Sequence, residues 1–203
     1  MMSIYGKYED ILPLVLDEMR RRIVDYTERE EKQSGIRLHE HLICRIKSDE
    51  SMREKCRRSG LPENEHSALY ELHDSIGIRI VCAFVSDVFE NIKRIRELDG
   101  CEVLREKDYI SSPKPNGYRS YHMIVRADMP YEDTEGNFPG KFCIEIQLRT
   151  IAMDSWASLE HKLKYKKNIK NQALIVSELK SCEDELASCD ISMQTIRELM
   201  EEE

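Results

Sequence analysis

Residues 78–85 read IRIVCAFV, an almost unbroken apolar run. A stretch this short and this apolar predicts a central β-strand buried on both faces, and hence a sheet covered by helices. Downstream, Ser86 is a good amino-terminal cap for a helix that turns Val88, Ile92, Ile95 and Leu98 inward. Cys101 to Lys107 forms a further strand. Residues 108–118, DYISSPKPNGY, hold two prolines and an Asn-Gly pair and exclude regular structure. Strands over 119–127 and 141–149 flank a polar loop that turns at Glu135-Gly136-Asn137. Upstream, residues 9–32 read as a helix with Leu12, Val15, Leu16, Met19, Ile23 and Tyr26 on one stripe, and Pro13 is tolerated in its first turn. A second helix starts after Ser48 and stops at Gly60-Leu61-Pro62, and two more occupy 150–166 and about 171–203. The order α-α-β-α-β-β-β-α-α predicts an α+β fold, a mixed β-sheet flanked by helices with a long C-terminal helix.

The totals narrow the functional class. The 203 residues are 40% hydrophobic and 34% charged, the profile of a globular chain with a heavily charged surface. No apolar stretch approaches the ~20 residues of a membrane span, so no membrane partner is expected. Residues 1–7 show no basic patch followed by an apolar core, so no secretory signal is expected. The seven cysteines contain no C-x-x-C pair; they predict free thiols and a cytoplasmic protein. Of the net charge of −8, residues 178–203 contribute −7. The rest is nearly neutral and carries two basic stretches, Arg45 to Arg58 and Lys162 to Lys170. Bases focused in this way suit an anionic substrate despite the acidic total.

In 141–149, Phe142, Ile144, Ile146 and Leu148 alternate with Cys143, Glu145, Gln147 and Arg149, which puts Glu145, Gln147 and Arg149 on one face. That face is either a solvated exterior or part of a site. Lys47, Ser51, Lys55 and Arg58 make one polar stripe on the helix after Ser48, with Arg45 just upstream, and suit either a polyphosphate or plain solvent. Asp74, at the mouth of the buried strand, is a natural magnesium ligand, and Arg79 would stack on a base or neutralise phosphate. Tyr118, in a proline-stiffened loop beside two cations, is either a platform for a nucleobase or a core residue. His73-Asp74 and His39-x-His41 lack the further ligands that a metal site needs.

Four of these segments together carry a family resemblance: RIKSDESMREK (45–55), DSIGIRIVC (74–82), EKDYISSPKPNGYRSYH (106–122) and IEIQLRTIAMDSWASLEHKLKY (144–165). Over about residues 40–167 the chain resembles the synthetase domain of the RelA/SpoT family, specifically its short members, the small alarmone synthetases. The resemblance implies a nucleotidyltransferase-like synthetase domain over 1–170. It implies transfer of a diphosphate from ATP to the 3′-hydroxyl of GDP or GTP, giving AMP and (p)ppGpp. By matched position, it implies that Arg45, Lys47, Ser51, Lys55, Arg58 and Arg79 hold ATP. Asp74 and Glu145 would bind Mg2+ and carry catalysis, with Glu145 also placed to take the hydroxyl proton. Tyr118, His122, Gln147 and Asp154 would hold the guanine nucleotide. Ser75-Ile76 and Tyr121 depart from the family pattern without touching these residues. The hydrolase domain of the long members has no counterpart in this sequence, so degradation of the product is not expected. An adenine nucleotide or the 3′ end of tRNA is the alternative acceptor, and the lysine run at 162–170 would suit RNA.

The last segment has its own pattern. Ile175, Leu179, Cys182, Leu186, Cys189, Met193, Ile196 and Met200 are spaced alternately by four and three, a heptad seam. Residues 171–203 therefore form a helix that either folds back on its own domain or pairs with another subunit. The short family members that the chain resembles are typically homotetramers, so a homo-oligomer is expected.

Overall fold

The computed structural model describes residues 3–164 and 171–201. The chain begins with a short 3-10 turn, Gly6–Tyr8, and helix α1, Leu12–Ser34, which opens on Pro13 and ends on the left-handed Gly35. Strand β1, His41–Ile46, and helix α2, Asp49–Ser59, follow. Ser48 caps α2, its hydroxyl accepting from the Ser51 amide, and Gly60 closes the helix in the left-handed region. One π-turn, Ser67–Glu71, leads into β2, Ile76–Cys82, then α3, Val85–Arg96, β3, Cys101–Asp108, β4, Tyr121–Met129, and β5, Gly140–Thr150. Helices α4, Ile151–Lys164, and α5, Gln172–Glu201, complete the chain.

The five strands run in the order β1-β2-β5-β4-β3. β2 and β5 are parallel, and the other three pairings are antiparallel, so the sheet is mixed, as the sequence implied. Helices α1 and α3 cover one face. Their Leu12, Val15, Met19, Ile23, Val88, Ile92 and Ile95 meet Ile76, Ile78, Ile80, Met123, Val125, Ile144, Ile146 and Leu148 in a single buried cluster. Alternation along each strand leaves the polar set on the other face. In register, Arg45 stands beside Gly77, Gly77 beside Glu145, Arg79 beside Gln147, and His122 beside Gln147. The site is thus built across the parallel pair at the middle of the sheet.

Three sequence expectations need correction. The run at 78–85 is not a strand buried on both faces. β2 ends at Cys82, and Gly77 and Arg79 on its second face are only half-buried, because α1 and α3 lie on the other side. Phe84, not Ser86, is the cap residue of α3, and its amide donates to Asp87 Oδ2 at 3.3 Å. The edge strand β1 was not anticipated: it has six residues, its alternate positions His41, Ile43 and Arg45 are exposed, and its apolar residues Leu42, Ile43, Cys44 and Ile46 show no clean alternation. The remaining strands and helices lie within a few residues of their expected limits. Residues 165–170, with most of the second lysine run, lie outside the described residues.

Candidate active site

The chain terminus fixes the entry to the site. Ile4 donates its amide to Asp49 Oδ1 at 2.5 Å, and Tyr5 donates its hydroxyl to the Lys47 carbonyl at 2.7 Å, so Lys47 and the first residue of α2 are held from behind. Lys47 and Lys55 then reach the same carboxylate oxygen, Asp74 Oδ2, Lys55 at 2.6 Å. Burial pulls the Asp74 carboxyl upward, but the two ammonium groups more than offset it and hold it below the ordinary carboxylate range. Ser51 lies in the first turn of α2, four residues before Lys55, and its hydroxyl accepts from Ser48 Oγ at 2.9 Å. Arg58 is exposed about one turn beyond Lys55 and is not drawn into this cluster. The other bases of the stretch face elsewhere: Arg53 pairs with Asp49 and Glu63, and Arg57 with Glu63.

A second cluster runs across β5 and β4. Arg149 Nη2 donates to the Tyr118 hydroxyl at 2.8 Å, which lies 2.8 Å from His122 Nε2; His122 Nδ1 lies 3.3 Å from Glu145 Oε1. A guanidinium only donates and an ionised carboxylate only accepts, so with a neutral imidazole between them Tyr118 donates to Nε2, and Nδ1–H donates to Glu145. Gln147 Nε2 donates to the other oxygen, Glu145 Oε2, at 3.0 Å, and its carbonyl accepts from Arg149 at 3.1 Å. Burial raises the Glu145 carboxyl, and the His122 contact more than compensates, so it too sits below the ordinary range. Asp154, from the first turn of α4, bridges Arg149 at 2.9 Å and Arg79 at 3.1 Å.

Two clefts flank this network. One, of about 470 Å³, is lined by Arg45, Arg79, Tyr118, Gln147 and Arg149, with His161 and Lys162 from α4. The other, of about 210 Å³, is lined by Arg105, Lys107, Tyr109, Lys114, His122 and Glu145. The Arg45 stem lies over Gly77, where an added Cβ would meet it in ordinary contact at 3.6 Å. Tyr118 is half-buried between the clefts, with Lys114 Nζ at 4.7 Å from its ring centre and the Arg149 guanidinium at 5.3 Å, so it is not a core residue. Two buried polar atoms at the site have no hydrogen-bond partner among the described residues: the acceptor Asp74 Oδ1 and the donor Arg79 Nε.

These observations settle which anticipated residues meet. Asp74 with Lys47 and Lys55 forms one group; Glu145, Gln147, His122, Tyr118, Asp154 and Arg79 form the other, with Arg45 on the shared wall. The polar face of β5 is no solvated exterior, because each of its side chains has a partner. No role is expected from the sequence for Arg149, which joins three of the others, Tyr118, Gln147 and Asp154, although it lies in phase with Glu145 and Gln147. It also left out Arg105, Lys107 and Lys114, whose signal was a basic residue recurring beside a nucleobase-sized ring, Tyr109 or Tyr118.

Residues 44–170 match the family described as the region found in RelA and SpoT proteins. The chain belongs to the RelA/SpoT family. GTP pyrophosphokinase YwaC of Bacillus subtilis (strain 168) is 42% identical over 141 residues, 70% of this chain and 65% of that protein. The chain therefore spans less than two thirds of that relative's length. A GTP pyrophosphokinase family protein from Streptococcus pneumoniae superposes with a TM-score of 0.82 at 28% identity, over 97% of this chain and 94% of that one. Small alarmone synthetase 1 from Bacillus subtilis, bound to its product pppGpp, superposes at 0.78 with 29% identity, over 92% of each chain. Every anticipated site residue, from Arg45 to Asp154, lies inside the RelA/SpoT region, and so do Arg105, Lys107 and Lys114. No described helix is long and apolar enough to cross a membrane.

Proposed function

We propose that this protein transfers the β,γ-diphosphate of ATP to the 3′-hydroxyl of GDP or GTP, forming AMP and (p)ppGpp, in the cytoplasm. The observation that carries the reading is the directed chain Arg149–Tyr118–His122–Glu145, which ends on an ionised carboxylate between two basic clefts. In the step itself the ribose 3′-oxygen attacks the β-phosphorus, the bond from that phosphorus to the α,β-bridging oxygen breaks, and AMP leaves. The hydroxyl proton passes to Glu145, which His122 and Gln147 hold in the charged, accepting form. Arg45 and Arg79 face the adenine and the phosphates of ATP from the larger cleft, with the unpaired Arg79 Nε as a ready donor. Lys47 and Lys55, with Ser51 and Arg58 along the same helix, offset triphosphate charge, and positioning of this kind does most of the work in phosphoryl transfer.

On the acceptor side Tyr118 offers its ring to the guanine, and Asp154 and Gln147 offer polar edges. Arg105, Lys107 and Lys114 in the smaller cleft suit the acceptor's 5′-phosphates. A magnesium ion fits the residues present. Asp74 Oδ1 is an unpaired buried oxygen, Glu145 supplies a second carboxylate, and magnesium usually takes one or two carboxylates and completes its shell from water and substrate phosphates. No cluster of three potential ligands among the described residues suggests a metal bound by protein alone. When bound, the ion would neutralise charge on the transferred diphosphate.

The test is incubation with ATP labelled at the γ-phosphate and, in separate reactions, GDP, GTP, an adenine nucleotide and tRNA. Label should move to the guanine nucleotides with AMP formed in equal amount. Label appearing on tRNA or the adenine nucleotide alone, or only as free phosphate, would reject the guanine reading.

We also propose a homo-oligomer, of the tetrameric kind expected of short family members. Helix α5 does fold back on its own domain, by the first half of its seam, where Ile175, Leu179, Cys182 and Leu186 are half-buried, and by a polar stripe. Glu183 pairs with Arg119, Asp190 accepts from Thr150 at 2.7 Å, Gln194 accepts from the Ser86 amide at 3.2 Å, and Arg197 pairs with Asp87. At about 100° per residue the heptad seam lies roughly a quarter turn away. Its second half, Cys189, Met193, Ile196 and Met200, is exposed and is the surface offered to another copy.

A further inference from the structure

The loop from Tyr109 to Ser120 carries Lys114 and Tyr118 out from the sheet and back. Its base is closed by the Tyr109 amide, which donates to the Ser120 carbonyl at 3.0 Å, and by Arg119 Nη1, which donates to the Ile110 carbonyl at 3.0 Å. At its tip the Gly117 amide donates to the Lys114 carbonyl at 2.8 Å, with Gly117 at φ +92°. Nothing in the catalytic network holds Arg119. Its Nε is held by Glu183 Oε1, from α5. Lys180 donates to the other oxygen of Glu183 at 2.9 Å, so both carboxylate oxygens are used, and the side chain is only 4% exposed. The same residue abuts the loop directly. A Cβ on Gly117 would lie 2.9 Å from Glu183 Cβ and 3.3 Å from Lys180 Cδ. Burying a carboxylate is costly unless it is paired, and a partner removed from such a pair leaves an uncompensated charge. Glu183 is therefore bound to the geometry of Arg119, and through it to both strands of the loop.

We infer that Glu183 is a positioning residue for the acceptor nucleotide: from α5, outside the RelA/SpoT region, it locks Arg119 across the base of the 109–120 loop and so sets Tyr118 against the cleft. It touches none of the residues assigned to ATP, so its influence is selective. Arg45 and Arg79 are seated on β1 and β2, and Lys47 and Lys55 are tied to Asp74; none of these contacts passes through α5. α4 steadies the other flank of the same turn, where Asn116 Nδ2 donates to Glu160 Oε1 at 3.1 Å. The acceptor loop is thus gripped from both C-terminal helices.

This inference rests on the acceptor assignment of Tyr118, and the experiment separates the two. In the full-length Glu183→Gln protein the shape is kept and the charge on the Arg119 partner is lost. Amide hydrogen exchange, read without substrate, should quicken at 110–118 by about tenfold, the factor that the loss of one charge-assisted hydrogen bond corresponds to, while β2 and β5 amides are unchanged. The KM for GDP should rise by a similar factor with the KM for ATP within twofold, and Glu183→Asp, which keeps the charge, should recover part of the loss. Unchanged exchange in the loop, or equal rises in both KM values, would overturn the inference. A wild-type protein that transfers nothing to GDP would sink the functional reading instead, and the exchange comparison would still decide whether Glu183 holds the loop.

Discussion

Tyr118 contributes two separable things, a ring and a hydroxyl, and substitution can remove them one at a time. Tyr118→Phe keeps the ring beside Lys114 and Arg149 but deletes the link in the middle of the relay. His122 Nε2 then loses its donor at 2.8 Å, while Arg149 Nη2 keeps the Gln147 carbonyl at 3.1 Å. One neutral hydrogen bond is worth about 1 kcal/mol, so turnover should fall by roughly fivefold, with little change in the KM for the guanine nucleotide. Tyr118→Ala also removes the stacking platform, worth about 1–3 kcal/mol per base. The acceptor KM should then rise by roughly five- to 150-fold, with the KM for ATP nearly unchanged. Initial rates of AMP formation, with each nucleotide varied in turn, measure both effects, and thermal unfolding of each variant checks that the fold is intact. If Phe weakens the acceptor as much as Ala does, the hydroxyl and not the ring binds it. If Ala weakens ATP and GDP alike, the ring is not the acceptor platform.

Asp74→Asn and Glu145→Gln should each abolish transfer while remaining folded at the assay temperature; near-normal turnover in either would remove that residue from the reaction. Acid stability gives a further check, because both carboxyls sit below their ordinary values of 3.8 and 4.5. A lowered carboxyl contributes stability that is complete above the ordinary range and is lost as the pH falls through the lowered value. Denaturation followed from pH 7 downward should therefore show a shallower acid limb in Asp74→Asn than in wild type, and identical limbs would show that the Lys47 and Lys55 contacts add nothing. On α5, Met193→Glu with Ile196→Glu should leave the inner polar stripe intact and dissociate the oligomer in light scattering. Each side chain is about half exposed, so its burial in a partner is worth on the order of 1 kcal/mol, and four such side chains across a pair of helices amount to roughly a thousandfold in dissociation constant. An unshifted mass would move the interface off this helix.

The fold was legible wherever local pattern and tertiary burial agree. β5 alternates strictly and is buried on one face, and α2 carries its own cap and stop in Ser48 and Gly60. Legibility failed where a run of apolar residues hid a two-sided environment. Ile78, Ile80 and Val81 masked Gly77 and Arg79, the two positions of β2 that face the site. Edge strand β1 failed for a different reason, since Ile43 breaks the alternation, an apolar residue on the exposed side that lines a cleft with Arg45. The site was legible as a set of residue types but not as a network. No spacing in the sequence announces that Arg149 binds Tyr118, or that a lysine pair converges on one oxygen of Asp74, because those contacts join segments far apart in the chain.

Helix α5 makes the sharpest case. Its heptad spacing is real, and a helix with such a seam is expected to bury it. The domain half-buries only the first part of that seam, Ile175 to Leu186, and otherwise receives the helix on Glu183, Asp190, Gln194 and Arg197, residues spaced by seven, four and three that sit a quarter turn round. A polar stripe with this period is invisible to a reading that scores only apolar residues. Yet it is well suited to holding a helix in one register, since each charged or polar group must meet one particular partner and a slip by one turn would strand a buried charge. Apolar seams tolerate such slips better. The polar stripe thus fixes where α5 lies and so where Glu183 meets Arg119, and the exposed second half of the seam, Cys189, Met193, Ile196 and Met200, is the part a second copy could cover.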